Sequence, residues 1–254
     1  PTITESDGRK AQNRTYQDLL KNPNDEKNFE TLAKSTLKKV MLDGTTTSWM
    51  KTAMYSGMSF SPDGSMIMLT TVDRPFSYLV PYRRFARHTD IYTMDGKLVK
   101  NVQNLPLIED LPSGFGATHT HERNYSWRAD KPATLTYVQA MDGGDPSAEV
   151  AYRDGLYERE APFNGEGILL AKTVNRYNYT QWGNDNTAII HDRWWKNRNT
   201  KAYAFNPSNP DQSPTILWDR SYQDNYGNPG NAMTEDNKYG RSVLALDGDN
   251  IFLT

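Results

Sequence analysis

The sequence predicts an all-β fold: a partial β-propeller of about three to four four-stranded antiparallel blades, behind an N-terminal helical or irregular arm. Three observations carry this. From Ser48 onward, short β-rich runs alternate with clusters of Gly, Pro, Asp and Asn. A phrase running from an aromatic residue to an Asp recurs between those runs. Fifteen Tyr and six Trp supply large side chains suited to half-buried pleated surfaces.

The recurring phrase appears as Phe60-Ser61-Pro62-Asp63-Gly64, as Trp127-Arg128-Ala129-Asp130 and as Trp182-Gly183-Asn184-Asp185. In each case a second β-rich run follows: Met66–Thr71, Ala133–Val138 and Thr187–Ile190. Phe60, Trp127 and Trp182 are expected to end equivalent strands and to lie mostly buried between blades. Asp63, Asp130 and Asp185 are expected to close equivalent turns, where an Asx side chain bonds its own backbone and Gly tolerates positive φ. A third run ends in its own turn at Asp90–Gly96 and again at Lys201–Pro207, and Lys97-Leu98-Val99 starts a fourth. The aromatic positions are 67 and 55 residues apart. A blade repeats at ~40–50 residues, so insertions are expected around 74–88, 105–123 and 142–166.

Residues 1–47 read differently and form the predicted arm; 48–254 form the partial propeller, incomplete at its C-terminal end. Within the arm, from Thr15 to Val40, Tyr16, Leu19, Leu20, Phe29, Leu32, Leu37 and Val40 recur at roughly helical spacing. Asn24 is the expected cap of a helix beginning at Asp25. The chain opens at Pro1 without a charged-then-apolar leader and closes on Ile251-Phe252-Leu253-Thr254, which reads as mid-strand, so both ends read as cut.

Composition narrows the function. A net charge of −2, from 29 basic and 31 acidic residues with no basic stripe, argues against a nucleic-acid partner. No apolar run approaches the ~20 residues of a membrane span. The absence of Cys removes disulfides and thiolate metal sites. It fits a periplasmic or exported home and a cytoplasmic one equally.

The insertions are more specific. Arg74-Pro75-Phe76-Ser77-Tyr78-Leu79-Val80-Pro81 with Phe85 and Thr89–Tyr92, then Trp127–Leu135, then Gln139-Ala140-Met141-Asp142-Gly143-Gly144-Asp145-Pro146, then Arg153-Asp154 and Ala161-Pro162-Phe163, follow one another in order. Over residues 50–254 this series resembles the glutamyl endopeptidase-like branch of the prolyl oligopeptidase family of serine peptidases; residues 1–47 carry no such likeness. The resemblance implies an N-terminal propeller that filters substrates for a C-terminal α/β-hydrolase domain.

The catalytic chemistry itself is not written here. The nucleophile elbow Gly-x-Ser-x-Gly does not occur, and Tyr55-Ser56-Gly57 lacks the preceding Gly. The four His residues, His88, His119, His121 and His191, sit in no nucleophile–base phrase. No catalytic residue is assigned, no cofactor is expected, and the chain alone should be inactive. His119-x-His121 is too sparse for a structural metal site, and Asp142-Gly143-Gly144-Asp145 lacks the ladder of a Ca²⁺ loop; no metal residue is assigned. Arg83, Arg84 and Arg87, in an insertion, read first as solvated loop charges, and as candidate substrate-gating residues if the full enzyme prefers acidic side chains. Trp194–Arg198 reads as inter-blade packing, with peptide stacking as the other use.

The expected partners are the remainder of the same protein, with its later blades and hydrolase domain, or a second copy of the chain, together with peptide substrates. Two blade faces and one strand edge would otherwise stand open. The alternative is a stand-alone propeller binding module of the cell envelope; a propeller lyase or glycosidase with its own carboxylates is a third.

Overall fold

The computed structural model describes residues 16–254. The first fifteen residues of the predicted arm, including Thr15 of its helical stretch, lie outside the described residues.

Twelve strands form three four-stranded antiparallel sheets in which spatial order follows chain order. After two short arm strands, β1 (Lys38–Val40) and β2 (Thr46–Ser48), the first blade comprises β3 (Tyr55–Phe60), β4 (Met66–Val72), β5 (Arg87–Thr93) and β6 (Leu98–Leu105). The second comprises β7 (Arg123–Trp127), β8 (Thr134–Ala140), β9 (Asp154–Glu160) and β10 (Ile168–Thr173). The third comprises β11 (Arg176–Trp182), β12 (Ala188–Trp194), β13 (Asn199–Phe205) and β14 (Thr215–Ser221). The all-β, partial-propeller class read from the sequence is the observed one.

Central strands are covered on both faces, so residues on both faces of a strand are buried. In β12 every residue but Arg193 is buried. Blade 1 meets blade 2 through Met68, Ile91 and Val102 against Leu135 and Phe163. Blade 2 meets blade 3 through Val138, Leu156 and Leu170 against Trp182, Ile190 and Phe205. Each such side chain withdrawn from water contributes ~1.5–3 kcal/mol, so the seams are the main apolar cores. The first strand of each blade also departs from its neighbour's register near its start, between Tyr55 and Gly57, Arg123 and Ser126, and Tyr177 and Tyr179. An extra residue there sharpens the local twist. In β7, Asn124 takes φ 55°, a left-handed conformation that Asn tolerates better than most residues.

The arm and the chain's last hairpins lie over the outer blade faces. Helix α1 (Pro23–Ala33) sets Phe29 edge-on to Phe76 and Phe85 of the 74–86 insertion, with ring centroids 5.2 and 5.7 Å away. Arg74 of that insertion reaches back to Glu26 (2.8 Å) and Glu30 (2.7 Å) on the helix. Trp49 and Met50 then close over the blade 1 face that carries Leu69 and Tyr92. On blade 3, β15 (Thr234–Asp236) pairs with β16 (Ser242–Leu244), and β17 (Leu246–Asp247) with β18 (Asn250–Ile251). Leu244 packs on Ile189 and Ala202 there. Both faces expected to stand open are thus partly covered from within the chain.

Four expectations need correction. The helix is capped by Asn22, not Asn24: Asn22 Oδ1 accepts from the N–H groups of Asn24 and Asp25, and Pro23 takes the first helical position, where its missing N–H costs nothing. The helix stops at Ala33, and Val40 belongs to a strand. The span 142–166 is not all insertion, because β9 lies inside it as the third strand of blade 2. Phe60 is 43% exposed, whereas Trp182 is 6% exposed. The reason is positional. Trp127 packs towards blade 1, its Nε1 donating to Ser59 O at 3.1 Å, and Trp182 packs towards blade 2, beneath the Arg128 guanidinium at 4.6 Å. Among the described residues no blade precedes the one that carries Phe60.

Candidate functional site

Antiparallel order brings the starts of β3, β7 and β11 to the same end of the blades as the β4–β5 and β8–β9 connections. Charged side chains concentrate at this end. Asp142, whose side chain is fully buried, accepts from Gly144 N (2.9 Å), Arg153 Nη1 (2.9 Å) and Arg176 Nη1 (2.8 Å). Asp154, equally buried, forms an ion pair with Arg123 Nη2 (2.6 Å) and accepts from Arg176 Nη1 (3.2 Å) and Tyr177 N (2.7 Å). Arg176 Nε also donates to Gly116 O at 2.6 Å. Two carboxylates and three guanidiniums therefore tie blade 2 to the first strand of blade 3 and to the 106–122 connection. This explains the Asp142-Gly143-Gly144-Asp145 run without a metal. Gly144 has φ 75°, and a Cβ there would lie 1.9 Å from Thr118 O, so the connection can approach only a glycine.

Beside this clamp the balance of charge changes. His119 and His121 have ring centroids 5.8 Å apart in the connection leading into β7. Burial, then the charges of Arg123, His121 and Arg87, push His119 down to about 4. Arg123 spends one nitrogen on Asp154, while its Nη1 is buried with no hydrogen-bond partner among the described residues; His119 Nδ1 is in the same condition. Arg87, at the start of β5, folds its guanidinium onto the carbonyls of Tyr82 and Arg83. Burial pushes its pKa down, and no carboxylate among the described residues forms an ion pair with it. Arg87 and Arg123, with the imidazoles of His119 and His121 beside them, thus form a partly buried group with two guanidinium cations, in which Arg123 Nη1 and His119 Nδ1 have no partner among the described residues. A carboxylate placed ~4 Å from one such charge gains ~4 kcal/mol of Coulomb energy at an effective dielectric of ~20, before desolvation.

The residues singled out in the sequence fall in several places. Arg87 joins this group. Arg83 and Arg84 lie on the 3₁₀ turn Tyr82–Arg84, with their guanidiniums 5.8 and 5.3 Å from the Tyr16 ring, facing the arm. Phe60, Trp127 and Trp182 end β3, β7 and β11, opposite Ile67, Leu135 and Ala188. The three Asp residues do different work. Asp63 holds its own turn through Ser61 Oγ (2.6 Å) and Ser65 N (3.0 Å). Asp130 holds the buried Arg128 at 2.7 Å, and Arg128 also reaches Glu158 at 2.6 Å. Asp185 pairs with Lys131 of blade 2 at 3.0 Å, and Asn184 takes over the turn by accepting from Asn186 N and Thr187 N. Trp194 is buried below Arg153, while Trp195 is half-exposed, its ring tilted against Phe115 with centroids 4.9 Å apart. Sequence reading missed His119 and Arg123 as partners of Arg87. The available signal was the density of His-Thr-His-Glu-Arg immediately before a blade's first strand.

No protein-family model matches the chain. Curated relatives do. The chain is 38% identical over 237 residues, 92% of its length, to a probable chloroplastic glutamyl endopeptidase of Oryza sativa subsp. japonica. It is 37% identical over the same length to the protein of that description in Arabidopsis thaliana. Over nearly its whole length the chain is thus similar to glutamyl endopeptidases. It spans 25% of the length of each of these glutamyl endopeptidases. The aligned length exceeds residues 50–254, so the likeness reaches into the arm, where the sequence alone showed none. Among solved structures, an acylaminoacyl peptidase of Pyrococcus horikoshii overlays with a TM-score of 0.42 at 12% identity, over 73% of this chain and 28% of that one.

No helix among the described residues is long and apolar enough to cross a membrane. No group of three or more His, Cys, Asp or Glu side chains among them is placed to hold a metal ion.

Proposed function

We propose that this chain is the substrate-gating propeller portion of a serine peptidase whose α/β-hydrolase domain lies elsewhere in the protein, and that its blade-end cationic group draws in acidic peptide side chains. The observation that carries the reading is the 38% identity to a probable glutamyl endopeptidase over 92% of this chain. The group formed by Arg87, His119, His121 and Arg123 supplies a physical means: buried donors without partners favour an incoming carboxylate over its amide. Arg83 and Arg84 act from the rim, steering at longer range. The later blades and the hydrolase domain are the partners in this reading, peptides are the substrates, and the location is periplasmic or otherwise exported.

The test uses the protein from the complete reading frame beside the chain itself. The complete protein is expected to cleave fluorogenic peptides with Glu before the scissile bond, and the chain alone to show no turnover and no labelling by a fluorophosphonate. Arg87→Met in the complete protein should lower the Glu-over-Gln ratio of kcat/KM by ~10-fold, the effect of losing one charge-assisted contact. An unchanged ratio would remove the gating role, and labelling of the isolated chain would overturn the division of labour.

A further inference from the structure

Blade 3 carries a second cationic cavity, lined by none of Arg87, His119, His121 and Arg123. Register places Arg193, Thr200 and Arg220 in one row across β12, β13 and β14. His191, Ala202 and Trp218 form the row two residues along, so side chains of both rows share a face. Asp192 and Asp219 fall in the intervening row, on the opposite face. The segment 228–232 closes over the first face, and Arg220 Nη2 holds it by donating to Asn228 Oδ1 at 2.8 Å. The cavity, open on one side, is 180 Å³, and no Asp or Glu lines it.

Three features make this space receptive. Two guanidiniums face one cavity without a carboxylate between them, and like charges held together are favourable only with a counter-ion. Arg220 Nε is buried and has no hydrogen-bond partner among the described residues, which costs ~1–3 kcal/mol if nothing accepts from it. The walls are stiff. The Tyr179 ring stacks on His191 at 4.2 Å, His191 Nε2 shares a hydrogen bond with Gln181 Oε1 at 2.9 Å, and the Arg193 guanidinium lies 3.6 Å from the Tyr222 ring centroid.

We propose that this cavity binds a compact oxyanion, held by Arg193 and Arg220. Inorganic phosphate and the carboxylate of a peptide C-terminus share this chemistry. Isothermal titration of the full chain with each separates them: inorganic phosphate in one arm, N-acetylglycine in the other, and N-acetylglycinamide as the uncharged control. Saturable binding in the millimolar range or tighter is expected for at least one anion and not for the amide. Arg193→Met and Arg220→Met should each weaken it by ~10-fold. Arg220→Met also frees the 228–232 segment, so Arg193→Met, whose exposed side chain packs on Tyr222 and does not bond that segment, is the decisive variant. Thermal unfolding of both variants shows whether they remain folded. Wild-type affinity in Arg193→Met, or no saturation by either anion up to about 50 mM, overturns the proposal.

Discussion

Phe60 and Trp182 hold the same place in their blades and live in opposite surroundings. Each is the last residue of a first strand and faces an apolar partner on the second. Trp182 lies between Arg128 of blade 2 and Phe205 of its own blade, 4.6 and 6.0 Å from its ring. Phe60 has no earlier blade to pack on among the described residues and remains 43% exposed. Trp127 is intermediate, half-buried with its indole N–H bonded to blade 1. The repeat therefore fixes where an aromatic sits, and the neighbouring blade decides what it is worth. Stability in this fold belongs to the seams, as expected where each unit contacts only its neighbours.

The largest expected effect is on the polar part of the seam between blades 2 and 3. Asp142→Ala leaves Arg153 and Arg176 without one of their buried counter-charges, and removing one side of a buried ion pair costs ~3–5 kcal/mol. Urea unfolding should show that loss; a loss below ~1 kcal/mol would place the cluster in solvent.

The aromatic series comes next. Trp182→Ala should cost ~3–5 kcal/mol and Trp127→Ala ~2–3 kcal/mol, against less than ~1 kcal/mol for Phe60→Ala. Equal losses at all three positions would break the comparison. A large loss at Phe60 alone would mean that a partner covers it.

A smaller effect follows from the two buried imidazoles. His119 and His191 are both pushed down to about 4 from an ordinary 6.5, His191 by burial and His119 by burial together with neighbouring cations. Because the folded pKa values are depressed, the unfolded chain binds more protons between pH 4 and 6.5. Stability is then fully present above that window and falls as pH drops through it. The urea midpoint should decline from pH 7.5 to 5, and His191→Gln should flatten the decline. An unchanged slope in that variant would show His191 to be solvated.

Much of the fold was legible because turns are local. Ser61-Pro62-Asp63-Gly64 announces itself through the chemistry of four adjacent residues, and the runs on either side follow as strands. β9 was hidden because Asp154–Glu160 carries three acidic residues and one Arg, so it lacks an apolar signature; its buried Asp154 and Glu158 are compatible with a strand only through the arginines that neutralise them. The Asn22 cap was overlooked because Asn24 two residues later is the same residue type. The bulges at Tyr55, Arg123 and Tyr177 leave no mark on composition. Within the candidate site, Arg87 was visible as part of a basic insertion. His119 and Arg123, more than thirty residues further along the chain, meet it only through the stacking of blades 1 and 2.

The central claim is that the blade-end cationic group prefers a carboxylate to its amide. Equilibrium binding of the purified chain to a blocked tripeptide with central Glu, against the same peptide with Gln, tests it directly. The account predicts at least ~10-fold tighter binding of the Glu peptide, weakening with added salt and lost in the double variant Arg87→Met with Arg123→Met. Equal affinity for the two peptides, or a Glu preference that survives in a folded double variant, would contradict it.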